Sequence, residues 1–302
     1  QMIAFIEDHR SSFGVEPICR LLPIAPSTYY DRVRIARDPA RAPDRAKSDA
    51  VMCSEISRVY AENRKVYGAR KIWHALRREG HDVARCTVER LMRKLGLKGV
   101  MRGKKTITTN PDKTRPCPLD KVNRQFNAQQ PDQLWVYDFT YCPTWSGMVY
   151  VAFVIDVFAR RIVGWRVSSS MTTQLVLDAL EQAIWQRKPV MNKALTHHSD
   201  RGSQYLSMKY TERLAAAQIE PSVGSVGDAY DNALAECVIG LFKTEVINQG
   251  GPWKSMREIE WETLNWVHWY NNQRLLEPIG YITPAEAEEA FYANMKTFDK
   301  VA

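Results

Sequence analysis

Three carboxylates stand far apart in the chain and could act together only if the fold gathers them. Asp138 lies in a strand-like run, Asp200 follows another such run, and thirty-five residues lie between Asp200 and Glu236. Hard divalent cations prefer oxygen ligands, and a pair of ions needs several converging carboxylates. Without a cation, three crowded acids would repel one another. The set therefore predicts a divalent-metal site for phosphoryl transfer on nucleic acid.

A lysine follows the last of these acids at helical spacing. Lys243 lies seven residues after Glu236, which is two turns of a helix, so the two side chains are expected on the same helix face. An ammonium group beside a metal-bound carboxylate could meet the phosphate of entering DNA. The alternative is an ordinary exposed lysine.

Two further acids have simpler interpretations. Asp156 ends a hairpin strand and is expected to serve a turn or an ion pair with Arg160 or Arg161 rather than a metal. Asp231 precedes a long helix and fits its N-cap.

Charge is distributed unevenly along the 302 residues. Residues 1–130 hold 27 basic and 14 acidic side chains, a balance of +13, whereas residues 131–302 hold 15 and 20, a balance of −5. A basic half beside a slightly acidic half favours a polyanion-binding region joined to a metal-carboxylate site. The alternative is a solvated basic surface without a partner. No apolar run is long enough to span a bilayer, and the six cysteines form no C-x-x-C pair.

The basic half divides into three parts. Residues 1–47 are expected to form a helix-turn-helix-like segment and a linker, and residues 48–100 a helical helix-turn-helix domain. Its last helix, CTVERLMRKLG, turns Val88, Leu91, Met92 and Leu95 inward and leaves a basic outer face. Residues 101–131 follow as a basic linker. The candidate DNA contacts are Arg70, Lys71, Arg85, Thr87, Arg90, Arg93, Lys94, Arg102, Lys104 and Lys105.

The acidic half has the pattern of an α/β domain. Residues 132–250 contain three consecutive strands, then helix, strand, helix, strand and helix, which is the order of a ribonuclease H-like mixed sheet. In that fold the fourth strand, which ends at Asp200, lies beside the first. Residues 251–302 form a helical tail, in which Trp261, Trp266 and Trp269 are expected to pack rather than to do chemistry.

Several strings resemble a known family. WVYDFTY, RRIVGW, HSDRGSQY, YDNALAE and LFKTE resemble the catalytic domain of OrfB-type transposases of the insertion-sequence-three family, which is similar in core fold to retroviral integrases. YGARKIWHALRREG, TVERLMRKLGLKG and YNNQRLLEPIGYITPAE resemble the same family. The resemblance spans nearly the whole chain. It implies that Asp138, Asp200 and Glu236 are the DDE triad, with Lys243 as the basic residue beyond it and Arg201 as a further DNA contact.

The resemblance also implies a cofactor and partners. We expect two Mg²⁺ ions per site, with Mn²⁺ as a substitute, and double-stranded DNA as substrate: terminal inverted repeats and target DNA. Water would cut first, and the freed 3′-hydroxyl would then join strands. We also expect a homodimer or higher oligomer, and an upstream OrfA-type partner or fusion segment. The protein is expected to act on the nucleoid in the bacterial cytoplasm, away from membranes.

Two other functions remain open at this point. The first is a DNA-binding regulator or assembly factor whose ribonuclease H-like core is catalytically inert. The second is a nuclease without strand transfer. A Mg²⁺-dependent nicking assay separates the first from a transposase, and a joining assay with pre-nicked ends separates the second.

Overall fold

The chain begins with a small bundle of three helices. A computed structural model describes residues 2–101, 128–187, 195–199, 208–223 and 233–298. The first helices are α1 (Met2–Phe13), α2 (Val15–Leu21) and α3 (Pro26–Arg37). Ile6, Ile18 and Tyr29 are buried together at their centre, and the Tyr29 hydroxyl donates a hydrogen bond to Glu7. This segment has a core of its own.

The second helical unit contains three helices. They are α4 (Asp44–Glu62), α5 (Ala69–Arg78) and α6 (Arg85–Lys94). Gly80 and Gly96 follow α5 and α6 with φ angles of +89° and +71°, a conformation that glycine adopts without a steric cost. Val88, Leu91 and Met92 are buried as expected. The inward placement of Leu95 is wrong: this side chain is 37% exposed, because Leu95 ends the helix and turns with the chain.

A five-stranded mixed sheet forms the centre of the acidic half. Its strands are β1 (Leu134–Thr144), β2 (Gly147–Asp156), β3 (Arg161–Ser168), β4 (Thr196–Ser199) and β5 (Glu220–Val223). Their order across the sheet is β3-β2-β1-β4-β5. The first three pair antiparallel, and β4 is parallel to both β1 and β5. The predicted ribonuclease H-like order, with the fourth strand beside the first, is confirmed.

Helices cover both faces of this sheet. The further helices are α7 (Thr173–Arg187), α8 (Met208–Ala216) and α9 (Ala233–Phe242). Side chains alternate along β1, so Trp135 and Tyr137 face the layer of α7 and α8, while Val136 faces the layer of α9. The α9 layer continues into α4, α5 and α6 as one hydrophobic core. The unit formed by α4, α5 and α6 and the sheet are therefore packed together.

The tail adds two helices, α10 (Met256–Asn272) and α11 (Pro284–Phe298). Trp266 and Trp269 are buried in the core as the sequence predicts, whereas Trp261 is 62% exposed. Asn271 exchanges two hydrogen bonds with the backbone of Ile162, which fixes α10 to β3. Among the described residues, none of the helices combines the length and apolar character that crossing a membrane requires.

Asp156 stabilises a turn, but its ion-pair partner is not one of the expected arginines. Its carboxylate accepts hydrogen bonds from the backbone N–H groups of Asp132 and Phe158, and it is fully buried. Its ion-pair partner is Arg187, at 3.4 Å, while Arg161 pairs instead with a glutamate of the tail. Arg187 arrives from the end of α7, so nothing in the local sequence indicates it.

Candidate active site

Asp138 is placed by the central strand of the sheet. It stands opposite Phe153 of β2 and is half-buried. The alternation along β1 puts it on the same face as Val136, which is the face that α9 covers. Its Oδ1 atom accepts a hydrogen bond of 2.8 Å from the backbone N–H of Phe139. The first candidate carboxylate therefore projects between the sheet and α9.

Glu236 reaches the same layer from the opposite side. It lies in the first turn of α9, which packs against β1 through Leu234, Ala235 and Val238. Its side chain is half-buried. Two of the three predicted acids are thus carried by elements in direct contact.

The third acid, Asp200, lies outside the described residues, as do Arg201 and Asp231. The described part of β4 ends one residue earlier, at Ser199, which is buried and lies in register with Tyr137. The residues immediately before the two aspartates are therefore neighbours across parallel strands.

The two histidines of β4 point to opposite faces, as the strand alternation predicts. His197 Nε2 lies 3.0 Å from the Tyr210 hydroxyl, and His198 Nδ1 lies 2.9 Å from Ser222 Oγ. Burial, helped by the neighbouring His198, lowers the pKa of His197 to about 3. His197 is therefore neutral at physiological pH and belongs to the core.

Lys243 is half-buried and begins a π-helical segment that continues α9 through Ile247. Its Nζ lies 5.2 Å from the centroid of the Tyr141 ring, within the range of a cation–π contact. Tyr141 lies three residues beyond Asp138 on β1. The sequence indicates Lys243 as a candidate residue but does not indicate its aromatic partner, Tyr141.

A buried ion pair behind Lys243 was also missed. Glu245 and Arg274 are 7% and 4% exposed, and Arg274 Nη2 lies 2.5 Å from Glu245 Oε1. The Trp266 indole N–H donates to Glu245 Oε2 at 3.0 Å. Glu245 occurs in the string LFKTE, but no local signal shows that its partner lies 29 residues later.

Several basic residues of the helix-turn-helix unit contact the C-terminal segment. Arg70 pairs with Glu277 at 2.9 Å, and both side chains are more than half exposed. Lys71 lies against the Tyr67 ring, with its Nζ 5.1 Å from the centroid. Burial, and then the charge of Arg274, lower the pKa of Lys71 to about 7. These two candidate DNA contacts lie at the junction with the tail.

The outer face of α6 remains basic. Arg85 forms an exposed pair with Glu89 at 3.0 Å, while Arg93 and Lys94 are exposed. Arg90 instead makes two hydrogen bonds of 2.8 Å to Asp49 of α4, which lower the pKa of Asp49. Thr87 is half-buried. The linker candidates lie outside the described residues; they are Arg102, Lys104 and Lys105.

Another acidic group could be mistaken for a metal site. Within the described part of the chain, Glu55, Glu79 and His81 bring ligand atoms within 4.8 Å of one another. Arg58 donates hydrogen bonds to both glutamates, and these contacts raise its pKa. The guanidinium already compensates the carboxylates, so this group is a surface ion-pair network.

Asp138 and Glu236 are each half-buried, and their chemistry suits a hard divalent ion. Both offer carboxylate oxygens, which are the donors that Mg²⁺ and Mn²⁺ prefer, and both lie in the layer between sheet and helix. A divalent ion would compensate charge that partial burial makes costly. The residues present therefore suit such an ion.

Known families match most of the chain. Residues 47–105 match the HTH-like domain family. Residues 128–229 and 217–284 both match families described as the integrase core domain.

Transposases of insertion sequences are similar to this chain, some of them over nearly its whole length. The chain is 55% identical over 301 residues to the transposase for insertion sequence element IS629 of Shigella sonnei, covering 100% of both chains. It is 56% identical over 188 residues to the transposase for element IS3411 of Escherichia coli, covering 62% of this chain and 78% of that one. It is 32% identical over 287 residues to transposase InsF for insertion sequence IS3A of Escherichia coli K12, covering 94% and 97%.

Proposed function

Since the chain belongs to the insertion-sequence-three (IS3) family of DDE transposases, we propose that it cuts and joins DNA at the ends of its element with Asp138, Asp200 and Glu236 as the catalytic carboxylates. Membership of this family makes it a polynucleotidyl transferase that moves DNA. A DNA-binding regulator with an inert core is not favoured.

One observation carries the triad. Tyr137 and Ser199 lie in register on adjacent parallel strands, and each immediately precedes one of the two aspartates. The α9 helix that bears Glu236 packs on the same strand, β1. These contacts support a common pocket for the three carboxylates beside the middle of β1, where β4 ends.

We propose two Mg²⁺ ions as cofactors, with Mn²⁺ able to replace them, held by Asp138, Asp200 and Glu236. Bound there, the ions would supply Lewis-acid activation of the attacking oxygen and stabilisation of the leaving one. The protein's own task is to hold the carboxylates in place and to align the DNA strand. Water is the first nucleophile and the freed 3′-hydroxyl the second, so no protein nucleophile is needed.

DNA contact is proposed along the basic half. The exposed face of α6, with Arg85, Arg93 and Lys94, suits a groove or backbone contact. Arg90 and Thr87 border this face. Arg70 and Lys71 reach DNA only from the junction with the tail, so we expect them to contribute least. The remaining proposed contacts are Lys243, Arg102, Lys104, Lys105 and Arg201.

The partners follow from the reaction. Two element ends must be joined, so we propose at least a homodimer on terminal inverted repeats and target DNA. An OrfA-type protein or fused segment is proposed upstream, and the nucleoid as the place of action.

A nicking assay tests the proposal. Labelled end DNA is incubated with Mg²⁺ and the full chain, or with Asp138→Asn, Asp200→Asn or Glu236→Gln. We expect nicking by the unaltered chain, a loss of about 10²–10³-fold in each variant, and unchanged DNA affinity in EDTA. Glu55→Gln is the matched control and should keep full activity. If Asp200→Asn still nicks, the assignment is wrong.

A joining assay with pre-nicked ends separates a transposase from a plain nuclease. We expect the chain to transfer the 3′-hydroxyl to a second duplex in Mg²⁺. Hydrolysis without any joined product would show that the strand-transfer step is not made by this site.

A further inference from the structure

Lys243 is held from two sides. Next to it, the Thr244 hydroxyl donates a 2.6 Å hydrogen bond to the Gly240 carbonyl, and Glu245 is anchored by the buried Arg274. At its other end, the ammonium group lies over the ring of Tyr141. Both the backbone and the charged tip of this lysine are therefore positioned before DNA arrives.

Tyr141 lies on a part of β1 that a DNA strand can reach. In the described residues, β4 pairs with Leu134–Tyr137 only, so Tyr141 lies beyond that pairing. Its side chain is 40% exposed. Three residues along a strand span about 10 Å, which is the distance along β1 from Asp138 to Tyr141. This odd spacing directs the two side chains to opposite faces of β1, so Tyr141 acts on the DNA strand through the Lys243 ammonium group that it holds.

The ring matters because a free lysine is a poor positioning device. A lysine side chain is a flexible four-carbon stem, and its rotamer entropy is lost when the ammonium group is fixed on a phosphate. A ring that already holds the ammonium removes part of that loss before binding. The ring face attracts the cation without neutralising it, whereas a carboxylate partner would cancel the charge that the phosphate needs.

We propose that Tyr141 is a positioning residue, whose ring holds the Lys243 ammonium group against the DNA phosphate next to the cleavage point. This inference rests on the proposed function, because the phosphate belongs to a strand that enters the active site. It adds a residue that neither the sequence nor the charge distribution indicates.

A double-mutant cycle in EDTA tests it. The probe is a labelled duplex of the element's own end, and its affinity for the full chain is measured by anisotropy without divalent ions. Tyr141→Leu should weaken binding about three- to tenfold, and Tyr141→Phe less than twofold because it keeps the ring. Lys243→Ala should weaken binding about tenfold and reduce the salt slope by about one. Tyr141→Leu should have no further effect in a Lys243→Ala background.

Tyr150→Leu is the matched control, since Tyr150 faces Tyr141 across the β1–β2 pair and is half-buried. It should leave the affinity unchanged even where it lowers hairpin stability. The inference is overturned if Tyr141→Leu binds like the unaltered chain, or weakens binding equally with and without Lys243. Nicking in Mg²⁺ is measured separately. An unaltered chain that does not nick would contradict the proposed function. If the unaltered chain nicks but the effects of Tyr141→Leu and Lys243→Ala on binding add, only the inference about Tyr141 is contradicted.

Discussion

Removal of the Glu245 carboxylate should destabilise the protein strongly. Arg274 is 4% exposed and its Nε and Nη2 atoms both donate to Glu245. The variant Glu245→Ala leaves this guanidinium buried without its counter-charge, which typically costs about 3–5 kcal/mol. It also removes the acceptor of the Trp266 indole N–H. We expect a loss of about 4 kcal/mol in the free energy of unfolding.

The measurement is urea unfolding followed by circular dichroism, with thermal unfolding alongside. A loss of about 4 kcal/mol corresponds to a fall in Tm of roughly 10 °C for a domain of about 150–250 residues. The double variant Glu245→Leu with Arg274→Met should recover most of the stability, because replacing both partners by apolar side chains leaves no unpaired charge. The matched control is Glu89→Ala, from the exposed pair with Arg85, which should change stability by less than about 0.5 kcal/mol.

The Glu245–Arg274 pair should also affect catalysis. Glu245 lies two residues after Lys243 on the segment that continues the helix of Glu236, so the stabilised double variant should still nick more slowly than the unaltered chain. A Glu245→Ala protein as stable as the control variant would refute the energetic argument, whatever its activity.

Three further predictions concern charge. The pKa of Lys71 falls from 10.5 in the unfolded state to about 7 in the folded state, so between these pH values the unfolded state binds one more proton. The free energy of unfolding should therefore rise with pH across this window, by at most about 1.4 kcal/mol per pH unit. The variant Lys71→Met should make this free energy nearly independent of pH in the same window. Because the Arg70–Glu277 pair is exposed, Arg70→Glu should lower the free energy of unfolding by no more than about 1 kcal/mol, measured by urea unfolding, and adding Glu277→Arg should restore it. Affinity for end DNA should fall steeply with salt, and Arg93→Ala should reduce the slope by about one; a flat response would contradict the basic contact surface.

The sequence predicts elements well where the periodicity is strong. The strand order and the three helices around α5 follow from apolar spacing and from glycines at the helix ends. The alternation along β1 was enough to put Asp138 on one face with Val136. The strand that carries Asp138 and the face to which its side chain points could therefore be predicted from the local pattern alone.

Long-range pairing could not be predicted in the same way. The sequence offered Arg160 or Arg161 as partners of Asp156, but the partner comes from the end of α7, because a buried carboxylate takes the cation that the tertiary fold brings near. For the same reason, the local sequence does not indicate the Glu245–Arg274 pair. Likewise, the sequence does not indicate that Arg70 and Arg78 of α5 have acidic partners about 200 residues away in the tail.

The most direct test of the account is the position of a bound divalent ion. Crystals of the full chain with end DNA and Mn²⁺ would give anomalous peaks that mark the ions. We predict peaks about 2.1 Å from carboxylate oxygens of Asp138 and Glu236, with Asp200 as a shared ligand. Mn²⁺ bound only at Glu55, Glu79 and His81, or Asp138 and Glu236 without an ion between them, would contradict the proposed active site.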